Sequence, residues 1–197
     1  MITDWTGLTL RTAPASEPVT VTEAKDQSRI DGTDEDTVLT RLIIVARTTV
    51  EKLSGRTLIT QTWDVIYNNF PSGDEAIYLP NTPLQSVSSI TYVDENGVTQ
   101  TWASSNYTVD TDGQIGRVFP AYDKSYPTVR NQKNAVTVRF VSGYGSSSDV
   151  PEPIRHAILM LVGEMFERRE EGIVGVNMSK VIVTAEQLLS PYKANYF

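Results

Sequence analysis

The chain has 197 residues, 40% hydrophobic and 21% charged, enough for one substantial domain or two small ones with a real core. With no cysteine and a single histidine, His156, the sequence excludes disulfides, zinc fingers, cysteine nucleophiles and multi-histidine metal sites. The net charge of −7 is uneven: residues 57–116 carry Asp64, Asp74, Glu75, Asp94, Glu95, Asp110 and Asp112 but no Lys or Arg, while the other segments balance 17 bases with 17 acids. Tight nucleic-acid binding depends on Lys and Arg displacing counterions, so DNA near this chain is expected to slide past.

The amino end, "MITDWTGLTL", lacks the basic-then-apolar order of a signal peptide, and no apolar run approaches the roughly 18 residues of a membrane span. Residues 1–18 read as an extended arm, with "LTLRT" strand-like and Pro14 and Pro18 as breakers. Thr20 and Glu23 form a capping-box pattern that predicts a short helix over "AKDQSRI". "RIDGTDEDTVLTRLI" then packs four carboxylates into six positions. A calcium loop started at Asp31 would need glycine at its sixth residue and glutamate at its twelfth, where Asp36 and Leu42 stand. The same stretch reads well as a helix start, with Thr33 as cap, Asp36 closing a capping box, and the acids favoured by the helix dipole. Leu39, Leu42, Ile43, Ala46, Val50 and Leu53 recur at helical spacing behind it, and Gly55 ends the helix.

From Thr57 to Ser142 the hydrophobic period changes to two. Ile59, Trp63, Val65 and Tyr67 alternate in "ITQTWDVIY", and Val136, Val138 and Phe140 do so in "AVTVRFV". "SITYVDENGVTQTW" reads as two strands turned at Asn96-Gly97. The stretch predicts an antiparallel sheet of about five to seven strands. Helix returns after the linker "GYGSSSDVPEP", and nine of the thirteen residues from Ile154 to Phe166 are apolar, which predicts burial on two faces. "IVGVNMSKVIV" has no clear periodicity; Thr184 and Gln187 are placed to cap a last short helix, "AEQLL", before Pro191. The fold class is therefore α+β: a helical bundle built from both chain ends, 19–56 and 150–192, with an antiparallel sheet domain inserted at 57–145.

Few groups could carry chemistry. Glu164, Glu167 and Glu171 share a helix face, but no Glu-x-x-His partner accompanies them, and an ion pair between Glu164 and Arg168 is the expected outcome. His156 is expected to be a partly buried residue of a first helical turn, and "GYGSSS" lacks the Gly-Lys-Ser/Thr ending of a phosphate loop. Trp63, Tyr67, Tyr92 and Trp102 could form a stacking platform, although strand aromatics usually belong to the core. No catalytic residues, metal site or cofactor are expected.

The segments "EPVTVTEAKDQSRIDGTDEDTVLTRLIIVARTTVEKLSGRTLITQTW", "LPNTPLQSVSSITYVDENGV", "YTVDTDGQIGRV", "NAVTVRFVSGYG" and "VPEPIRHAILMLVGEMFERRE" together resemble the head–tail connector, or adaptor, family of tailed phages, prophages and gene-transfer particles. The likeness runs in order from about Glu17 to Tyr192 and is weakest from Gly172 to Lys180. It implies a virion protein, made in the host cytoplasm, with no catalytic residues. It implies a ring, usually of twelve copies, beneath the portal protein, lengthening the DNA channel and docking the next tail or stopper protein. The competing expectation is a sheet-based carbohydrate- or protein-binding module on a virion or cell surface. Leu159, Val162 and Phe166 are the expected subunit interface, between copies that are monomeric or weakly associated until placed on the portal. Leu188, Leu189, Tyr192, Tyr196 and Phe197, in a weakly ordered segment at 172–197, are the expected portal-docking residues; the alternative is that this tail packs on its own subunit.

Overall fold

A computed structural model of the chain describes residues 5–168 and 178–194, with side chains in the second stretch from residue 183 onward. The fold is mixed α+β, and it divides into two compact units, each described by itself.

The helical unit comprises residues 15–59 and 144–193. Helix α1 (Val21–Ser28) starts at a complete capping box: the Glu23 amide donates to Thr20 Oγ1 at 3.1 Å, and the Thr20 amide donates to Glu23 Oε2 at 2.7 Å. Helix α2 (Asp36–Ser54) begins later than the sequence suggests. Thr33 does not cap it. Residues 33–36 form a turn closed by the Asp36 amide on the Thr33 carbonyl, and the carboxylate of Asp36 is drawn to Lys25 instead. Asp36 still stands in the first turn, where the dipole favours it. The far end follows expectation, with Gly55 at φ 69° donating to the Glu51 carbonyl.

Helices α3 (Glu152–Glu167) and α4 (Met178–Leu189) complete the unit. Thr184 and Gln187 do not cap α4, because the helix is already formed at Met178. One apolar cluster joins the four helices among the described residues, from Ala24 through Leu39, Ile43 and Val50 to Ile154, Ile158, Ala185 and Leu189. Ile59 belongs to this cluster and not to the neighbouring strand, which starts at Gln61. Two arginines fasten the entering chain. Arg47 holds Glu17 and Glu51, and Arg155 donates to the Pro18 carbonyl and pairs with Glu23.

The sheet unit comprises residues 5–14, 60–143 and 194 among those described. Its strands are β1 (Gly7–Thr12), β2 (Gln61–Tyr67), β3 (Ile77–Tyr78), β4 (Leu84–Val93), β5 (Thr99–Trp102), β6 (Tyr107–Asp110), β7 (Arg117–Pro120) and β8 (Val136–Ser142). A five-stranded sheet runs β1-β2-β8-β4-β5 and a three-stranded one runs β3-β7-β6, antiparallel throughout. The amino-terminal arm is thus not a free extension: β1 pairs along β2, from Gly7 opposite Ile66 to Thr12 opposite Thr62. The β4–β5 hairpin turns where Asn96-Gly97 signals it, with Gly97 at φ 84° and the Asp94 side chain accepting from the amides of Asn96 and Val98. Register sets Val65 opposite Val138 and Tyr67 opposite Val136, stacking the alternating residues into one core with Ile90, Trp102 and Phe140.

Candidate docking surfaces

Helix α3 carries the expected subunit interface, and burial divides its residues. Val162 is 0% exposed inside its own unit, so it holds the subunit together. Leu159 and Phe166 are half-buried and pack against the edge of the same cluster, leaving part of each side chain at the surface. His156 is exposed, contrary to expectation, because its position on α3 turns away from the packed face. Glu164 and Arg168 form the expected ion pair one turn apart.

The carboxyl-terminal residues divide in the same way. Leu189 is 0% exposed in the helical core, whereas Leu188 and Tyr192 are half-buried against it. Arg56 donates to the Tyr192 carbonyl, fastening the turn at Ser190–Tyr192. Helix α4 therefore packs on its own unit, because its buried side, Ala185 and Leu189, completes that unit's cluster. Tyr196, Phe197 and residues 169–177 lie outside the described residues.

On the sheet unit, Trp102 is 5% and Tyr67 2% exposed, and Trp63 and Tyr92 are half-buried, so the four do not form an open platform. Trp102 instead meets Phe70, Tyr107 and Tyr126 at ring-centre distances of 5.5, 5.2 and 5.3 Å. A surface groove of about 340 Å³ lies over part of this cluster, between Asn69–Gly73 and Ser125–Val129. The Tyr126 hydroxyl beside it donates to the Glu75 carbonyl at 2.7 Å, and burial raises its pKa well above the ordinary tyrosine value.

The sequence reading missed one electrostatic feature. Asp64, on β2, is 2% exposed, yet it is charged and carries two arginine partners. Arg139 on β8 donates to Oδ1 at 2.7 Å and Oδ2 at 2.9 Å, and Arg11 on β1 donates to Oδ2 at 2.7 Å. The Arg139 hydrogen bonds, reinforced by Arg11, hold its pKa below the ordinary value against the opposing effect of burial. A lone acid inside an apolar strand, with an arginine in "LTLRT" and another in "VTVRF", was the available signal.

"GYGSSS" is closed by its own acid: the Ser146 amide and hydroxyl donate to Asp149 Oδ2 at 2.8 and 2.6 Å, putting a carboxylate where a phosphate loop would receive its anion. Among the described residues, no three His, Asp or Glu side chains converge as metal ligands.

Comparison with known proteins gives a consistent result. The chain is similar in fold to chains in the neck of an empty gene transfer agent (GTA) particle computed with C6 symmetry (TM-score 0.78, 22% identity, 97% of each chain covered). It is similar also to chains in the virion of a native GTA particle (0.75, 22%, 96% of each) and in the neck of a native GTA particle computed with C12 symmetry (0.73, 20%, 96% of this chain and 97% of that). None of the curated proteins compared is a match. A family model described as head completion protein matches residues 17–179, which takes in most of the first segment of the helical unit, strands β2 to β8 and helix α3, and ends at the start of α4. That match covers most of the 197 residues, and the chain belongs to the head completion protein family.

Proposed function

We propose that the chain is a head–tail adaptor that acts without catalysis, forming a ring beneath the portal protein and receiving the next tail or stopper protein. The family match over residues 17–179 carries this reading. The likeness to chains from GTA necks computed with C6 and C12 symmetry supports a ring at the head–tail junction. In this reading the helices from both chain ends form a connector bundle, and the sheet is an insertion that shapes the channel or its rim. The net charge of −7 suits a conduit, since acids outnumber the cations that could hold DNA phosphates.

Leu159 and Phe166, half-buried on α3, and Leu188 and Tyr192 at the end of α4 are the surfaces offered to ring neighbours and portal, with Tyr196 and Phe197 beyond them. The purified chain is monomeric or weakly associated and closes into a ring on the portal, where neighbours are held at high local concentration. Imaging particle necks made with and without the chain tests this. Its absence should leave DNA-filled or leaking heads without tails; tailed, infectious or transducing particles lacking the chain would sink the reading.

A further inference from the structure

The outward face of α2 differs from an ordinary solvated helix face. Thr37, Arg41, Ile44, Val45, Thr48 and Lys52 are exposed along it, with Ile44 at 42% and Val45 at 49%. β-Branched residues lose side-chain freedom in a helix, so they are poor choices where nothing packs on them. The threonine hydroxyls add little polarity. Thr40 and Thr49 donate to the Asp36 and Val45 carbonyls at 2.8 Å, and Thr48 bonds the Ile44 carbonyl. With those three hydroxyls turned back onto their own helix, these threonines add methyl groups beside Ile44 and Val45. The charged residues on this face, Arg41 and Lys52, are both cations.

Helix α3 has the opposite electrostatics. Glu152, His156 and Glu167 are exposed on its outward side, around half-buried Met160. Arg155 pairs with Glu152 and Glu23 and Arg168 with Glu164, and with Glu167 the acids of this group exceed its bases by two. Because α2 and α3 pack together through their buried faces, their outward faces look to opposite sides of the helical unit. A two-fold contact would bring like faces together, cation against cation. A head-to-tail contact sets the basic face on the acidic one, and its repetition gives a ring where the rotation between copies closes.

We propose that the outward face of α2 docks on the outward face of α3 of a second copy. Ile44 and Val45 pack against Met160, and Arg41 and Lys52 meet carboxylates at the rim. This rests on the ring reading above and names the surface that reading requires. Two small apolar side chains cover little area, so the contact is weak in dilute solution and forms when the portal holds neighbours side by side.

The absence of native cysteine makes a direct test available. The full chain carrying both Val45→Cys and Met160→Cys, assembled into particles and oxidised, should give a ladder of covalent multimers on a denaturing gel. Each single variant should give monomers. Dimers from Val45→Cys alone would mean that like faces meet, and would overturn the proposal. Particles whose necks show the ring but give no ladder overturn the docking face and leave the ring reading standing. Particles with no ring of this chain overturn both. Independently, Val45→Asp, at an exposed site, should leave the circular dichroism and thermal midpoint unchanged and abolish the ring; rings at full occupancy with that variant also overturn the proposal.

Discussion

Asp64 and Arg139 sit directly opposite each other on β2 and β8, and the carboxylate is sealed from water while the guanidinium is half-exposed. Removing either side of the pairing therefore leaves the other within reach of water. In Asp64→Ala the arginines that remain can still be hydrated, which limits the cost to about 1–3 kcal/mol. Replacing both Arg11 and Arg139 with alanine removes the three hydrogen bonds but also uncovers the carboxylate to water, so the cost should likewise be about 1–3 kcal/mol. Urea denaturation of the two variants checks this; a loss well above that range in the double variant would show that the carboxylate stays sealed without its arginines.

The same carboxylate makes stability depend on acid. Its folded pKa is held below the ordinary 3.8, so its stabilisation is complete above that value, where folded and unfolded forms are both ionised. As pH falls below it, the unfolded chain takes up the proton first, and stability is lost until the folded carboxyl is protonated as well. Asp64→Asn should flatten the acid limb of a stability–pH curve while Glu23, Asp110 and Asp149, also held low by hydrogen bonds, keep part of the slope. An unchanged limb in that variant would contradict the assignment.

Thr20→Ala removes the side-chain half of the α1 capping box and should cost about 1 kcal/mol. Thr33→Ala should cost much less, since Thr33 contributes only its backbone carbonyl to the turn before α2. Thermal melts of the two variants distinguish a real cap from a sequence that merely resembles one.

Leu189→Ala should destabilise the chain by about 2–5 kcal/mol, in the range of buried leucine truncations. Deleting residues 184–197 should lower the melting point further or cause aggregation, because Ala185 and Leu189 both leave the helical core. Leu188→Ala, at a half-buried position, should cost less in stability and leave the chain available for particle assembly assays.

Titration calorimetry with calcium should show no micromolar, one-to-one site at Asp31–Asp36. The acids there lack the spacing of a ligand loop, and Asp36 already has Lys25 as its partner.

What the sequence made legible were features set by neighbours along the chain. The spacing from Leu39 to Val50, the alternation of Val136, Val138 and Phe140, the Thr20–Glu23 box and the Asn96-Gly97 turn all appear where local pattern puts them. The features it concealed depend on partners from elsewhere. The start of α2 shifts because Lys25, on another helix, draws in Asp36. Asp64 is buried by arginines 53 and 75 positions away, which no window on "QTWDVIY" contains. The exposed apolar side chains of α2 were hidden for a different reason: periodicity identified the buried stripe, and Ile44 and Val45 fall outside it.

The helical unit has one further consequence, for synthesis. Leu39, Ile43 and Val50 are made early, yet the α3 and α4 residues that cover them follow roughly a hundred residues later. The sheet unit is almost contiguous and can finish first, so the nascent chain carries an uncovered apolar stripe until its last helix emerges. A product cut short by a stalled ribosome or a protease never covers that stripe. It is then a substrate for aggregation or degradation before it can enter a growing assembly. Splitting one core between segments on either side of the sheet thus makes its completion depend on the synthesis of α4.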